Sequence, residues 1–220
     1  IKLALGEVWR VNGQWPQAEA IDRDALAQAE ALGAVKLQAQ AQRALADVMR
    51  LLGHYDAALE WLAQAEAHFE ITGDQRGVIS ALWTMGEIYW YKGNHSQALA
   101  ALERQLQMAT EINDQRGICE ALDTMGMVYW SQGDWEQSVE CCQKSIAIAE
   151  PLGYKLVITR AAITLGNVGV SRRDQAMAVR WYQTAYQIAQ EIDDRQVLAW
   201  AITNMAGIYR DAGAFRRALA

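Results

Sequence analysis

The sequence predicts an all-α fold, a solenoid of antiparallel helix pairs, and three observations lead to this prediction. Small residues recur with a step of 40 at several positions of the 220-residue chain. Within each step, apolar residues follow the three- to four-residue spacing that is typical of helices. The chain contains only two prolines, Pro16 and Pro151, which favours long helices because proline breaks a helix interior.

Two ladders of residues predict where the helices end, because glycine adopts the left-handed conformation of a helix stop without strain. The first ladder has arginine in one place and is otherwise glycine: Gly13, Gly53, Gly93, Gly133, Arg173 and Gly213. The second ladder marks the other turn of each repeat: Gly33, Gly73, Asn113, Gly153 and Asp193. Each repeat therefore consists of a helix A, a short turn, a helix B and a second short turn.

Polar residues and prolines predict how the B helices begin and end. Asn94 with Gln97, and Asp134 with Gln137 one repeat later, resemble a variant of the capping box that opens a helix. Pro16 suits the first turn of a B helix, where its missing N–H costs nothing. Pro151 precedes the stop at Gly153 and is therefore expected to end or kink its helix.

Two further ladders contain only small residues and predict where helices A and B approach each other closely. On helix A the ladder is Gly6, Ala46, Gly86, Gly126, Gly166 and Ala206. On helix B it is Ala18, Ala58, Ala98, Ser138, Ala178 and Ala218. The segment Asp74–Tyr91 also matches Asp114–Ser131 at 11 of 18 positions without a gap. We therefore divide residues 1–220 into one solenoid of six repeats, at 1–33, 34–73, 74–113, 114–153, 154–193 and 194–220.

The pattern of each repeat resembles the tetratricopeptide repeat (TPR). The resemblance rests on one series and its equivalents 40 residues later: Leu82, Met85, Gly86, Tyr89, Gly93, Asn94 and Ala98. The unit is longer than the usual one of about 34 residues, and is similar to the long repeats of kinesin light chains, LGN-like scaffolds and bacterial signal-transduction regulators. The resemblance implies a right-handed superhelix whose A helices line a concave groove.

Removing the packing positions from the A helices leaves a predicted groove that is aromatic in the middle and rich in arginine towards its ends. Its residues are Arg43, Asp47, Arg50, Trp83, Glu87, Trp90, Tyr91, Glu120, Asp123, Met127, Trp130, Arg160, Asn167, Trp200 and Arg210. Arg10 of the first repeat is expected on the same face. Tryptophan, tyrosine and arginine dominate binding hot spots. Two alternatives remain open: Trp90 and Trp130 wedge between neighbouring A helices, or the arginines are solvated charges.

These residues favour a protein–protein interaction scaffold that binds a peptide or partner segment in the groove. An alternative is the small-ligand sensor arm of a signal-transducing ATPase or transcription regulator, and a remote one is an accessory domain of an enzyme. The chain itself is not predicted to be an enzyme and needs no cofactor. Its three histidines lack metal-ligand spacing, and it has no phosphate-binding loop. Cys119 is expected to be a small core filler, and of the adjacent Cys141 and Cys142 one is expected in the core and the other partly exposed.

Charge and cysteine content narrow the partners and the compartment. With 20 basic and 26 acidic residues the net charge is −6, which disfavours nucleic acid, and no apolar run reaches the roughly 18 residues of a membrane span. Three cysteines without paired spacing favour a reducing, cytoplasmic location. The chain begins and ends inside predicted helices, so we expect an excerpt of a larger bacterial signalling protein whose uncapped repeats allow end-to-end self-association.

Overall fold

A computed structural model describes residues 1–211 of the chain, and these residues form helices joined by short turns. They fall into two compact units, a first unit of Ile1–Asn113 and a second unit that begins at Asp114. The helices of the first unit are α1 (Lys2–Val11), α2 (Trp15–Ala31), α3 (Val35–Leu51), α4 (Tyr55–Thr72), α5 (Gln75–Tyr91) and α6 (His95–Glu111). The helices of the second unit are α7 (Gln115–Gln132), α8 (Trp135–Ala149), α9 (Lys155–Ser171), α10 (Gln175–Glu191) and α11 (Arg195–Asp211).

The observed helices confirm the all-α fold class. The odd-numbered helices from α3 to α11 begin 40 residues apart and correspond to the predicted A helices, and the even-numbered ones correspond to the B helices. Among residues 1–211, no helix combines the length and the apolar character needed to span a membrane.

The backbone at the predicted helix stops is left-handed in both units. Positive φ angles occur at Gly13, Gly33, Gly53, Gly73, Gly93, Gly133 and Gly153, and also at Asn113, Arg173 and Asp193. The 40-residue step thus located the left-handed position even where the residue is not glycine. Gly213 and Ala218, which were predicted to continue the ladders, lie outside the described residues.

The capping predictions are confirmed in part. The carboxylate of Asp134 accepts a hydrogen bond from the backbone N–H of Gln137, at 3.1 Å, and so caps α8. Asn94 does precede α6, but its side chain makes no capping hydrogen bond, so that part of the prediction is wrong. A charged aspartate interacts more strongly than a neutral amide with the positive end of the helix dipole. Pro16 stands in the first turn of α2 as predicted.

Pro151 shortens the B helix that precedes it, as predicted. Helix α8 ends at Ala149 after 15 residues, whereas α6 runs for 17. Proline has no backbone N–H to continue the helical hydrogen bonds.

The small residues of the A helices lie where a side chain of helix B crosses them, which confirms the packing prediction. A Cβ atom at Gly86 would lie 2.6 Å from Cδ2 of Leu102, and one at Gly126 would lie 2.4 Å from Sγ of Cys142. Both distances are too short for real contacts. Close packing therefore requires glycine at these positions, and the side chains of helix B that contact them, Leu102 and Cys142, lie 40 residues apart like the glycines themselves.

Each unit has its own apolar core. In the first unit, Val48, Leu62 and Ile88 are buried together, and in the second unit Ile158 and Leu165 pack around Cys142. Burial of these side chains is the main stabilising term for each stack of helix pairs.

An Arg173→Gly variant is expected to be more stable than the original chain by about 0.5–1 kcal/mol. Arg173 has a φ of 58°, and the left-handed conformation costs a residue with a Cβ about 1–2 kcal/mol, more than the entropy that glycine loses on folding. Urea denaturation followed by circular dichroism measures the change. The reverse substitution at the equivalent position, Gly93→Arg, should destabilise by a similar amount, and a loss of stability in Arg173→Gly would refute the assignment.

Candidate partner-binding surface

The A helices of the first unit enclose a cavity of about 410 Å³ on their shared face. Its lining residues come from α1, α3 and the start of α5, with one aromatic ring from α4. They are Leu3, Ala4, Glu7, Arg10, Gln40, Arg43, Ala44, Phe69, Asp74, Arg76, Gly77 and Ser80. The volume lies in the range of small-ligand sites, about 300–1,000 Å³.

Charged groups dominate the wall of this cavity. Arg43 belongs to the predicted groove and pairs with Asp47 one helical turn away, at 3.0 Å. Asp74 forms an ion pair with Lys36 at 3.0 Å and accepts the N–H of Gly77. Burial alone would raise the pKa of Asp74, but these hydrogen bonds outweigh it and lower the pKa, so the carboxylate stays charged. Arg76 is exposed at the rim.

A second ion pair of the first unit joins two residues of the predicted groove. Nη1 of Arg50 lies 3.7 Å from Oε2 of Glu87, which connects α3 with α5. Glu87 was expected on an open face, but its residue is only 6% exposed. Arg50 therefore helps to stabilise the structure, because the buried carboxylate of Glu87 needs a positive partner.

Trp90 and Tyr91, near the end of α5, form a partly accessible aromatic cluster with Tyr55 of α4, and Trp83 lies about two turns earlier on α5. Trp83 and Trp90 are half-buried, and Tyr91 is 50% exposed. The rings of Trp90 and Tyr91 lie 4.8 Å apart, and Tyr91 stacks in parallel on Tyr55 of α4 at 5.8 Å. The cluster is rigid apolar area of the kind that anchors a partner.

In the second unit, the predicted groove residues Asp123 and Arg160 contact each other. Nε of Arg160 lies 2.9 Å from Oδ2 of Asp123, and Arg160 also donates to Oγ1 of Thr124 at 3.3 Å. Asp123 was expected to face a partner, but it is fully buried. The pair joins α7 to α9 and acts first as a packing element of this unit. Glu120 pairs instead with Arg116 on its own helix, at 2.9 Å.

The aromatic residues of the second unit are half-buried and take part in packing. Nε1 of Trp130 donates to Oγ of Ser171 at 3.2 Å, so this ring reaches from α7 to α9. This contact supports the alternative in which Trp130 lies between neighbouring A helices. Trp200 meets the ring of Tyr182 edge-on at 5.2 Å.

Three other predicted residues of the second unit differ in their surroundings. Asn167 accepts a hydrogen bond from the hydroxyl of buried Tyr182 at 2.8 Å, and burial raises the pKa of Tyr182 to about 12. Met127 is half-buried, whereas Arg210 is exposed.

Sequence reasoning missed most of the cavity of the first unit. Of its lining residues, only Arg10 and Arg43 were expected on the groove face. A usable signal existed, because Gln40 and Ser80 stand one repeat apart at equivalent places on α3 and α5. Polar residues at this position therefore mark the face that the A helices share.

All three thiols are buried. This confirms the prediction for Cys119 and for one of the adjacent pair Cys141 and Cys142, whereas the expectation that the other one is partly exposed is wrong. Burial raises the pKa of both Cys119 and Cys141 to about 11, and it also raises the pKa of Cys142 well above its usual value. The thiols stay protonated at neutral pH, which disfavours nucleophilic chemistry because the thiolate is the reactive form.

Solved structures with a similar fold include several regulatory proteins. BtubC (BKLC) from P. vanneervenii has a TM-score of 0.78 at 16% identity, over 93% of this chain and 86% of that one. A signal transduction ATPase with numerous domains (STAND) that has a tetratricopeptide repeat sensor, from Pyrococcus horikoshii, has a TM-score of 0.77 at 18% identity. The match covers 94% of this chain and 32% of that one. A Rap protein complexed with competence and sporulation factor has a TM-score of 0.70 at 15% identity, and the match covers 96% of this chain and 63% of that one. These identities show a shared fold.

The chain thus spans about a third of the STAND protein and less than two thirds of the Rap protein. Among curated proteins, none matches the sequence significantly. The family model of the tetratricopeptide repeat matches residues 1–71, 77–151 and 117–190, which together span most of the sequence. The chain therefore belongs to the tetratricopeptide repeat family.

Proposed function

We propose that this protein is an interaction scaffold that binds a peptide or partner segment on the face formed by its A helices. The observation that carries the proposal is the cavity of the first unit, which three successive A helices build and which holds several arginines. The guanidinium groups of these arginines can donate charge-assisted hydrogen bonds to an acidic group of a partner.

The three arginines of the cavity outnumber its two acids, Glu7 and Asp74, and therefore favour an acidic partner. Arg10, Arg43 and Arg76 each come from a different A helix, so an extended segment that crosses the helices would meet one guanidinium after another. A guanidinium binds a carboxylate with two parallel hydrogen bonds, which gives both affinity and orientation.

Trp83, with Trp90 and Tyr91 about two turns further along α5, supplies the apolar part of the proposed site. Trp83 lies one repeat after Arg43 at the equivalent position of α5, so both side chains belong to one face of the first unit. Tryptophan, tyrosine and arginine are the residues that dominate binding hot spots. In the second unit, Trp130, Asn167 and Trp200 have packing partners, and we propose for them a supporting role on the A helices of that unit.

The second candidate function is that of a small-ligand sensor arm in a cytoplasmic signalling regulator. The observation that favours it is the size of the cavity, about 410 Å³, which suits a metabolite. The likeness to the STAND protein with a tetratricopeptide repeat sensor is consistent with it.

Selection of displayed random peptides on the full chain, followed by fluorescence anisotropy with the enriched sequence, tests the proposal. We expect acidic peptides with an apolar residue, and we expect Arg43→Ala to weaken binding about ten-fold. Arg23→Ala is the matched control, because Arg23 forms the same kind of i,i+4 ion pair on a B helix, with Glu19 at 2.8 Å. Equal losses in both variants would contradict the proposal. Failure to enrich any peptide, with a metabolite binding instead, would favour the sensor function.

A further inference from the structure

The first repeat departs from the others at one buried position of helix B. The residues that cross the small ladder of the A helices are Asp22, Leu62, Leu102, Cys142 and Tyr182. All are buried, but only the first is charged, and Asp22 is 0% exposed. A charged residue where the other repeats have leucine, cysteine or tyrosine breaks a packing rule, and such departures occur mainly where function requires them.

The surroundings of Asp22 are built around its carboxylate. Oδ2 lies 2.5 Å from Nη1 of Arg10. Oδ1 has no hydrogen-bond partner in the described chain and lies over Gly6, where an added Cβ would be only 2.3 Å away. One oxygen is thus paired and the other is buried without compensation, which penalises the charged form of the acid.

Arg10 connects this buried acid to the cavity. Its side chain is 11% exposed, it pairs with Asp22, and it also belongs to the lining of the cavity. While Asp22 is ionised, it neutralises Arg10. Once Asp22 takes up a proton, the positive charge of Arg10 is available to the cavity beside those of Arg43 and Arg76.

We propose that the cavity of the first unit binds an oxyanion, and that Asp22 controls its affinity by holding or releasing the charge of Arg10. Asp22 is a positioning residue in this scheme, since it is not among the lining residues and acts through Arg10. The identification of the oxyanion as an acidic group of a partner segment rests on the proposed function, whereas the existence of the switch does not.

The charges around Asp22 determine the direction of the effect. Burial raises the pKa of Asp22 to about 6, Arg10 opposes this rise, and, on α3, Asp47 raises the pKa while Arg43 lowers it. Below pH 6 the acid is therefore neutral, and above pH 6 it is charged. Anion affinity should accordingly be high in mildly acidic solution and should fall as the pH rises through about 6.

Titration of the full chain with sulfate tests the switch, because sulfate keeps its charge between pH 5 and pH 8. Two-dimensional NMR would follow the Nε–H group of Arg10 and the amide of Gly77. We expect sulfate to bind about ten-fold more tightly at pH 5 than at pH 7.5. This is the effect of one additional charge-assisted hydrogen bond, which Arg10 can donate once Asp22 is protonated. In Asp22→Asn the affinity should stay high and nearly independent of pH. Asp22→Leu, which copies Leu62, should behave in the same way and serves if the first variant folds poorly.

The matched control is Asp24→Asn, since Asp24 is an exposed carboxylate on the same helix and pairs with Lys2. This variant should keep the pH dependence of the original chain. Three results would each overturn the proposal. They are a sulfate affinity of the original chain that does not change with pH, an equal pH dependence in Asp22→Asn, and sulfate-induced chemical-shift changes that leave the Arg10 signal unaffected. Because the assay uses sulfate, its outcome is separate from the search for a peptide partner.

Discussion

A Gly86→Leu variant is expected to lose about 3 kcal/mol of unfolding free energy, with a melting temperature lower by roughly 6–12 °C. The first added atom, Cβ, would already lie 2.6 Å from Cδ2 of Leu102, and the rest of the new side chain has no space beyond it. Helices α5 and α6 must then separate, which weakens the contact that each repeat contributes to the stack. Differential scanning calorimetry measures the loss.

The repeat itself provides the control, Gly86→Ala. Ala46 occupies the equivalent place on α3 and is fully buried in the same core cluster as Leu62. Gly86→Ala should therefore cost clearly less than Gly86→Leu, because it adds only the Cβ atom, for which Leu102 must shift, and the higher helix propensity of alanine offsets part of that cost. An unchanged melting temperature in Gly86→Leu would show that helices α5 and α6 pack less closely at this position than they do in the structure.

An Arg160→Met variant is expected to destabilise the protein by about 3–5 kcal/mol at neutral pH. Removal of the guanidinium leaves Asp123, which is fully buried, without the cation that lies 2.9 Å from its Oδ2. The loss reflects the cost of a buried carboxylate rather than the strength of the pair, since the attraction between two buried charges is largely cancelled by their desolvation. Chemical denaturation at pH 7 measures it.

A second substitution separates these two effects. Ile163 occupies the position equivalent to Asp123 one repeat later, so the double variant Arg160→Met/Asp123→Ile replaces the pair with apolar groups. It should recover most of the lost stability. A double variant as unstable as the single one would mean that the pair contributes net attraction.

The helix stops could be predicted because they depend on local chemistry repeated at a fixed step. Gly93 and Gly133 need no knowledge of the rest of the fold, since the left-handed conformation favours glycine wherever a helix ends. Even Arg173 could be assigned to a helix stop, because its position in the 40-residue repeat identified it.

The ion pairs of the A helices could not be predicted in the same way. Arg50 and Glu87 meet across α3 and α5, and their contact depends on how far one A helix is shifted along the next. The sequence shows that both residues belong to the same face, but it contains no measure of that shift. For this reason Glu87 and Asp123 were expected to be open to a partner, whereas both are buried beside arginines.

The cavity of the first unit depends on the same lateral shift and on a departure from the repeat. Asp22 is an acid at a position where the later repeats have leucine, cysteine or tyrosine, but only the structure brings it to Arg10 and brings Arg10 to the cavity. An irregular residue inside a regular repeat is therefore a useful signal for a site, even when its partners cannot be foreseen.

Photo-crosslinking tests most directly whether the A helices form the binding face. A peptide enriched on the full chain, carrying a photoreactive residue beside its acidic group, would be irradiated in complex with the protein and the crosslinked residues identified by mass spectrometry. We expect the crosslinks to fall on α1, α3 and α5, around Arg43, Arg76 and Trp83. Crosslinks concentrated on the outer faces of α2, α4 and α6 would contradict a binding role for the A-helix surface.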